Sequence, residues 1–248
     1  MSLKILLTSI IGLSIFFNHG QHTTLGREIK LKNTSLLTDT NKVLIALLDT
    51  VFTEDQTYRI QLKEVEDKFG RSSIQYKDQW AIIKNKDAAN LKKVTAILDE
   101  HGWPGKGIVG KRGNLTIFLV IQHSDKATQE KYLPMMREAV KSGNAAASHL
   151  ALLEDRLALK QGKKQIYGSQ IGRNKITGKH YILALEDPEN VDKRRAEVGL
   201  PPIQEYVKQW EIIWSIDQYF KDLEDNKESE LLKKLNKPLR SLPLRKPG

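Results

Sequence analysis

Apolar side chains in the first third of the chain recur in alternating steps of four and three residues, at Leu44, Leu48, Val51, Tyr58, Leu62, Val65 and Phe69. That spacing paints one face of a helix. It predicts a helix over residues 38–69, opened by Thr38 or Asp39 as a cap and closed by Gly70. One step of the stripe is not apolar: Asp55 stands between Val51 and Tyr58. Residues 21–35, ahead of this helix, read as a polar linker. Further helices are expected over 73–83 and over 87–100, the latter with Leu91, Val94, Ile97 and Leu98 inward.

The glycine-dense stretch 101–113, HGWPGKGIVGKRG, reads as a loop. Asn114 is placed to cap a short helix ending near His123, apolar nearly all round and therefore buried, although its β-branched content leaves a strand open. Helices over 126–141 and 145–161 follow, parted by Ser142, Gly143 and Asn144. Then the pattern changes. Segments 165–171 and 180–185 are short and rich in β-branched and aromatic residues, and the turn-forming Asn174 and Gly178 between them predict a β-hairpin. Pro188 suits the first turn of another helix and Gly199 its end. A last amphipathic helix is expected from about Pro202, with Tyr206, Trp210, Ile213, Trp214 and Phe220 on one side. The fold class is mainly α: a compact multi-helix domain over 36–231 with one small β-hairpin near 165–185.

Both ends of the chain differ from this body. Residues 1–4 supply a basic start and 5–17 an uncharged apolar run, shorter than the roughly 20 residues that span a bilayer. Residues 1–20 therefore read as a signal peptide, cleaved before Gln21, which implies an exported, periplasmic or secreted protein. Retention as a membrane anchor is the alternative. The chain has no cysteine, which excludes disulfides, a lipidated cysteine and thiolate metal sites. Its net charge of +10 favours anionic partners, and much of the excess lies at the C-terminus. Residues 232–248 carry Lys233, Lys234, Lys237, Arg240, Arg245 and Lys246 among three prolines and read as a basic flexible tail. It is either a solvated terminus or a contact for an anionic envelope surface; nucleic acid is a disfavoured partner.

No phosphate-binding loop, dinucleotide fingerprint, HExxH or GxSxG is present. What stands out is a set of short motifs: Glu54-Asp55-Gln56, ILDEHGWPG at 97–105, VIQH at 120–123, HLALLEDR at 149–156 and QIYGSQ at 165–170. Glu186-Asp187-Pro188, Asp192-Lys193-Arg194-Arg195 and Gly199-Leu200 follow them. In this order they resemble an uncharacterised bacterial domain family with no established activity, across roughly residues 44–206. The family's usual YGTQ is YGSQ here, with Ser169 keeping the hydroxyl. The resemblance implies membership and candidate positions without a mechanism.

Physical chemistry grades those positions. A carboxylate on an apolar face must be paired, since burying it alone is costly. Arg59, one turn along, and Arg156, from another helix, are the candidate partners of Asp55. The catalytic candidates are His101, His123, Asp55 and Arg156, with a histidine as the proton-transfer group. His101, His123 and His149 could instead converge, with Asp55 or Asp155, on a divalent metal such as zinc or non-haem iron. Without metal, Trp103, Gln122, His149, Asp155, Gln165, Tyr167 and Gln170 are candidates to line a small-molecule pocket. Against these stand structural readings: an ion pair in a helical bundle for Asp55, a core plug for Trp103 and a strand bend at Tyr167. Three function classes follow: a small-molecule enzyme of hydrolase type, a non-catalytic binder of an envelope component, and a structural or interaction module. Export is the most directly testable expectation. Protein recovered from its host should lack residues 1–20 by intact mass, whereas a full-length mass in the soluble fraction would contradict it.

Overall fold

The computed structural model describes residues 22–235, with side-chain detail over 39–227. The expected signal segment and the end of the basic tail, 236–248, lie outside the described residues. The chain divides into two compact units, Met1–Val43 and Leu44–Gly248. In the first, residues 22–43 are helical, and Lys42 pairs with Asp39. Among the described residues the order is α1 (His22–Phe69), α2 (Ile74–His101), α3 (Lys106–His123), α4 (Lys126–Lys141) and α5 (Ala147–Lys160). Then come β1 (Ile171–Arg173), β2 (His180–Ile182), a 3-10 turn (Pro188–Asn190), α6 (Val191–Glu197), α7 (Ile203–Val207), a second 3-10 turn (Lys208–Trp210) and α8 (Ile216–Leu235). The fold is mainly α with one small hairpin. No helix among the described residues is long and apolar enough to cross a membrane.

Several boundaries differ from the sequence pattern, each for a local reason. Residues 22–35, expected as a linker, are helical, because no proline interrupts the chain between His22 and Phe69. Thr38 and Asp39 are thus interior to α1. The helices expected over 73–83 and 87–100 are one, α2, whose Ser73 cap accepts the Tyr76 amide hydrogen. The loop expected up to Gly113 ends at Gly105. Helix resumes at Lys106, with a single break at Gly110, whose φ of 71° is open to glycine. Asn114 caps nothing: buried inside α3, its amide donates to Pro104 O and Asn144 O, tying the loop and the α4–α5 turn to the helix. The hairpin forms, but its first strand is later than expected, with Ile171 opposite Ile182 and Arg173 opposite His180.

Two apolar clusters build the second unit. The first unites Leu48 and Val51 of α1, Val94 and Leu98 of α2, Ile117 and Ile121 of α3, Tyr132 and Met136 of α4, and Leu153 and Leu157 of α5. The second gathers Ile182, Leu185, Val191, Ile203, Val207, Ile212 and Tyr219. The C-terminal helix expected to run unbroken from Pro202 is instead interrupted at Glu211, left-handed at φ 60°. The break shifts the buried face. Ile213 and Phe220, expected inward, are 77% and 52% exposed, while their neighbours Ile212 and Tyr219 are buried. Tyr219 also accepts the Leu185 amide hydrogen through its hydroxyl oxygen at 2.7 Å, a buried bond. Residues 232–235, expected within the tail, belong to α8.

This register makes a stability prediction. Tyr219→Phe leaves a buried amide unpartnered and should cost about 1–3 kcal/mol in urea unfolding. Ile213→Ala, at an exposed position, should change stability by no more than about 0.5 kcal/mol. The reverse order would show that the inward face was assigned wrongly.

Candidate functional site

Asp55 reaches the interior because α1 carries it on the same stripe as Val51, and it is buried with that stripe. Its Oδ1 sits 2.9 Å from His123 Nδ1 at the end of α3 and 3.3 Å from Arg59 Nη2, while Oδ2 accepts from Gln56 Nε2 at 2.7 Å. The same Arg59 nitrogen donates to Asp87 of α2 at 2.7 Å, so one guanidinium bridges two carboxylates. Burial works to raise the Asp55 pKa, but the hydrogen bond and charge of His123, with Arg59 and Gln56, outweigh it and hold the carboxyl below its usual value. The partner is therefore Arg59, one turn along α1, together with His123; Arg156 is not engaged by Asp55. Asp55, Asp87 and His123 border a cavity of about 220 Å³ that Lys84, Asn90 and Asp125 also line. Asn90 is fully buried, and neither atom of its amide has a partner.

A second polar cavity, of about 340 Å³, lies where Arg156 leaves α5. One of its walls, the chain at 165–170, is held by the residue before Arg156. Asp155, fully buried, accepts the amide hydrogens of Ile166 and Tyr167 on Oδ1 and of Ser169 on Oδ2, at 2.6–2.9 Å. Gly168 makes the turn at φ 68°, where an added Cβ would meet Ile203 Cδ1 at 2.7 Å. Gln165 spans the loop, accepting from Gln170 N and donating to the Gln170 and Leu183 carbonyls. Behind it, Arg195 donates to Tyr167 O and Pro201 O and stacks over the Tyr206 ring, while the Tyr206 hydroxyl donates to Ser169 O. Asp155, Gln165 and Arg195 thus build the loop, and Arg156, Gln122 and Gln170 face the cavity.

The remaining candidates separate. His101 ends α2 exposed, with Glu100 3.8 Å away. His149 stacks on Phe118, with ring centroids 4.5 Å apart and an interplanar angle of 8°, and burial lowers its pKa. Trp103 plugs the first core. Tyr167 lines neither cavity and serves through its backbone. Among the described residues, the group able to present three metal-ligand atoms within 4.8 Å of one another is Asp55, Asp87 and His123. Neither His101 nor His149 belongs to it, so the three-histidine centre does not form. Arg59 already supplies the cation between the two aspartates, and a metal there would compete with it.

Residues 38–218 match a family of unknown function, DUF6624. The chain belongs to that family. The match extends past Tyr206, where the motif resemblance stopped, and takes in Trp210 and Trp214 of the second core. Neither a curated protein nor a solved structure matches the chain.

Within this DUF6624 domain, sequence reasoning missed Asp87, Asn90, Arg71, Arg173, His180 and Tyr206 as cavity residues. Asp87 and Asn90 had a faint signal, two polar residues on the helix that carries Leu91 and Val94 inward. Arg173 and His180 become neighbours only through the hairpin register. The Asp55 cluster makes the next prediction. Its folded pKa is lowered, so its contribution to stability is complete above the ordinary carboxylate pKa and is lost as pH falls through the lowered folded value. Asp55→Ala should destabilise by about 3–5 kcal/mol at neutral pH, because Arg59 loses its counter-charge and His123 Nδ1 its acceptor. Asp55→Asn should flatten the acid limb of the stability–pH curve. An unchanged acid limb would show that Asp55 gains nothing from its partners.

Proposed function

We propose that this domain is an exported small-molecule enzyme of hydrolase type, with His123 as its general base and Asp55 as the group that orients it. The carrying observation is the hydrogen bond between Asp55 Oδ1 and His123 Nδ1 beside a cavity. An ionised carboxylate only accepts, so Nδ1 carries the hydrogen, and in the neutral ring Nε2 keeps its lone pair. Nε2 has no hydrogen-bond partner among the described residues. A water in the cavity would give a proton to Nε2 as its oxygen bonds to the substrate carbonyl carbon. The same proton then passes from Nε2 to the leaving group as the bond from carbon to that group breaks and the carbonyl's second bond re-forms. The unpartnered Asn90 amide and Lys84 are the groups available to steady the developing oxyanion. Export rests on the basic start and apolar run of residues 1–17, and the basic tail suits an anionic envelope surface better than nucleic acid.

The second reading is a non-catalytic binding or structural module. The bridge that Arg59 makes between Asp55 and Asp87 favours it, because such networks also serve only to satisfy buried charge. Hydrolysis of p-nitrophenyl acetate and butyrate, compared between wild type and His123→Gln, separates the two. Proton transfer of this kind is worth roughly 10²–10⁴-fold, so the variant should lose at least about 100-fold while melting close to wild type. Equal rates, or no turnover in either, would leave the structural module as the better reading.

A further inference from the structure

We infer that the cavity at Arg156 is an anion site, built to receive the phosphoryl or carboxylate group of a small molecule. Arg156 forms no hydrogen bond and no ion pair among the described residues, and its Nε is buried without a partner. Arg156 is half-buried, and a buried guanidinium N–H left without an acceptor is costly, so interiors seldom keep one without a reason. The other cations at the cavity do not share this state: Arg71 is paired with Glu66 at 2.6 Å, and Arg173 Nε donates to Gly178 O. No lining residue is acidic, so nothing in the wall competes with an incoming anion. The planar fork of arginine matches two oxygens of a phosphoryl or carboxylate group at once.

A second observation points the same way. Gln122, only 5% exposed, also lines this cavity, and its Oε1 lacks a partner while its Nε2 donates to Leu152 O. The wall therefore offers a buried donor that needs an acceptor and a buried acceptor that needs a donor. A ligand carrying an oxyanion and a neighbouring hydroxyl satisfies both. Burial lowers the Arg156 pKa, against an opposing effect of Tyr206 and with a smaller contribution from the charge of Arg59, and a bound anion would favour the charged form. The volume, about 340 Å³, is of small-molecule size rather than that of a polymer groove.

The test uses the whole chain with inorganic phosphate and with acetate, each against sodium chloride of equal ionic strength. Thermal unfolding and calorimetric titration are the readouts. Wild type should melt higher in millimolar phosphate or acetate than in chloride, because an anion that binds only the folded state stabilises it. A response to phosphate alone assigns the phosphoryl class, a response to acetate alone the carboxylate class, and a response to both the shared oxyanion. Arg156→Met should melt at or above wild type without anion, since it removes an uncompensated charge, and should lose the anion shift. Arg156→Lys keeps the charge but not the fork and should bind at least tenfold more weakly. An equal anion shift in Arg156→Met, or no shift in wild type beyond chloride, would overturn the site.

Discussion

The arrangement around the Arg156 cavity depends on Asp155 accepting three backbone hydrogen bonds from Ile166, Tyr167 and Ser169. Those amides lie where the chain leaves α5 and passes to the hairpin, with no helix or sheet ladder to satisfy them. An unmade bond to a buried amide costs about 1–3 kcal/mol, so a single carboxylate that serves three of them fixes the loop. It also joins the α-helical core, through α5, to the second cluster, through Arg195 on Tyr167 O and Tyr206 on Ser169 O. With Asp155 committed inward, the next residue on the helix must point elsewhere, and Arg156 is delivered to the rim of the loop that Asp155 has built.

Two buried aspartates are thus satisfied by different means, and the difference sorts their roles. Asp155 is met by backbone amides, which do not titrate and do not move; it is structure. Asp55 is met by side chains from two helices, α1 and α3, one of them an imidazole that borders a cavity. Side-chain partners can exchange protons and rearrange, and evolution keeps such networks where chemistry needs them or where a buried charge needs company. Arg59 binds Asp55 and Asp87 together, so the imidazole is held against a carboxylate that is itself clamped. That clamp also argues against a metal at Asp55, Asp87 and His123, because the place of the cation is taken.

Much of the fold was legible from periodicity alone. The α4 boundaries, Lys126 to Lys141, coincide with those expected, and the hairpin and the Gly199 stop occur, while the helix expected from Pro188 opens as a 3-10 turn and becomes α-helical at Val191. Asp55 was legible because one acidic residue broke an otherwise apolar stripe. What failed were inferences that needed the third dimension. Arg59 and Arg156 are equally plausible partners on paper, and only packing chooses the local one. Asn114 looks like a cap until the glycine-rich loop proves helical and buries it. His149 shares a motif with Arg156 yet faces Phe118, since seven residues along a helix do not guarantee a common ligand. The C-terminal register failed at Glu211, where a left-handed residue resets the face and no glycine warns of it.

The claim that His123 is an oriented base rests on which of its nitrogens carries the hydrogen. Nitrogen-15 NMR of the imidazole reads this directly, above the pH at which the ring is charged. Asp55 as an ionised acceptor at 2.9 Å predicts the Nδ1–H tautomer, with an unprotonated Nε2, and predicts that Asp55→Ala loses that preference. An Nε2–H tautomer in the wild-type chain, or a tautomer indifferent to Asp55, would contradict it.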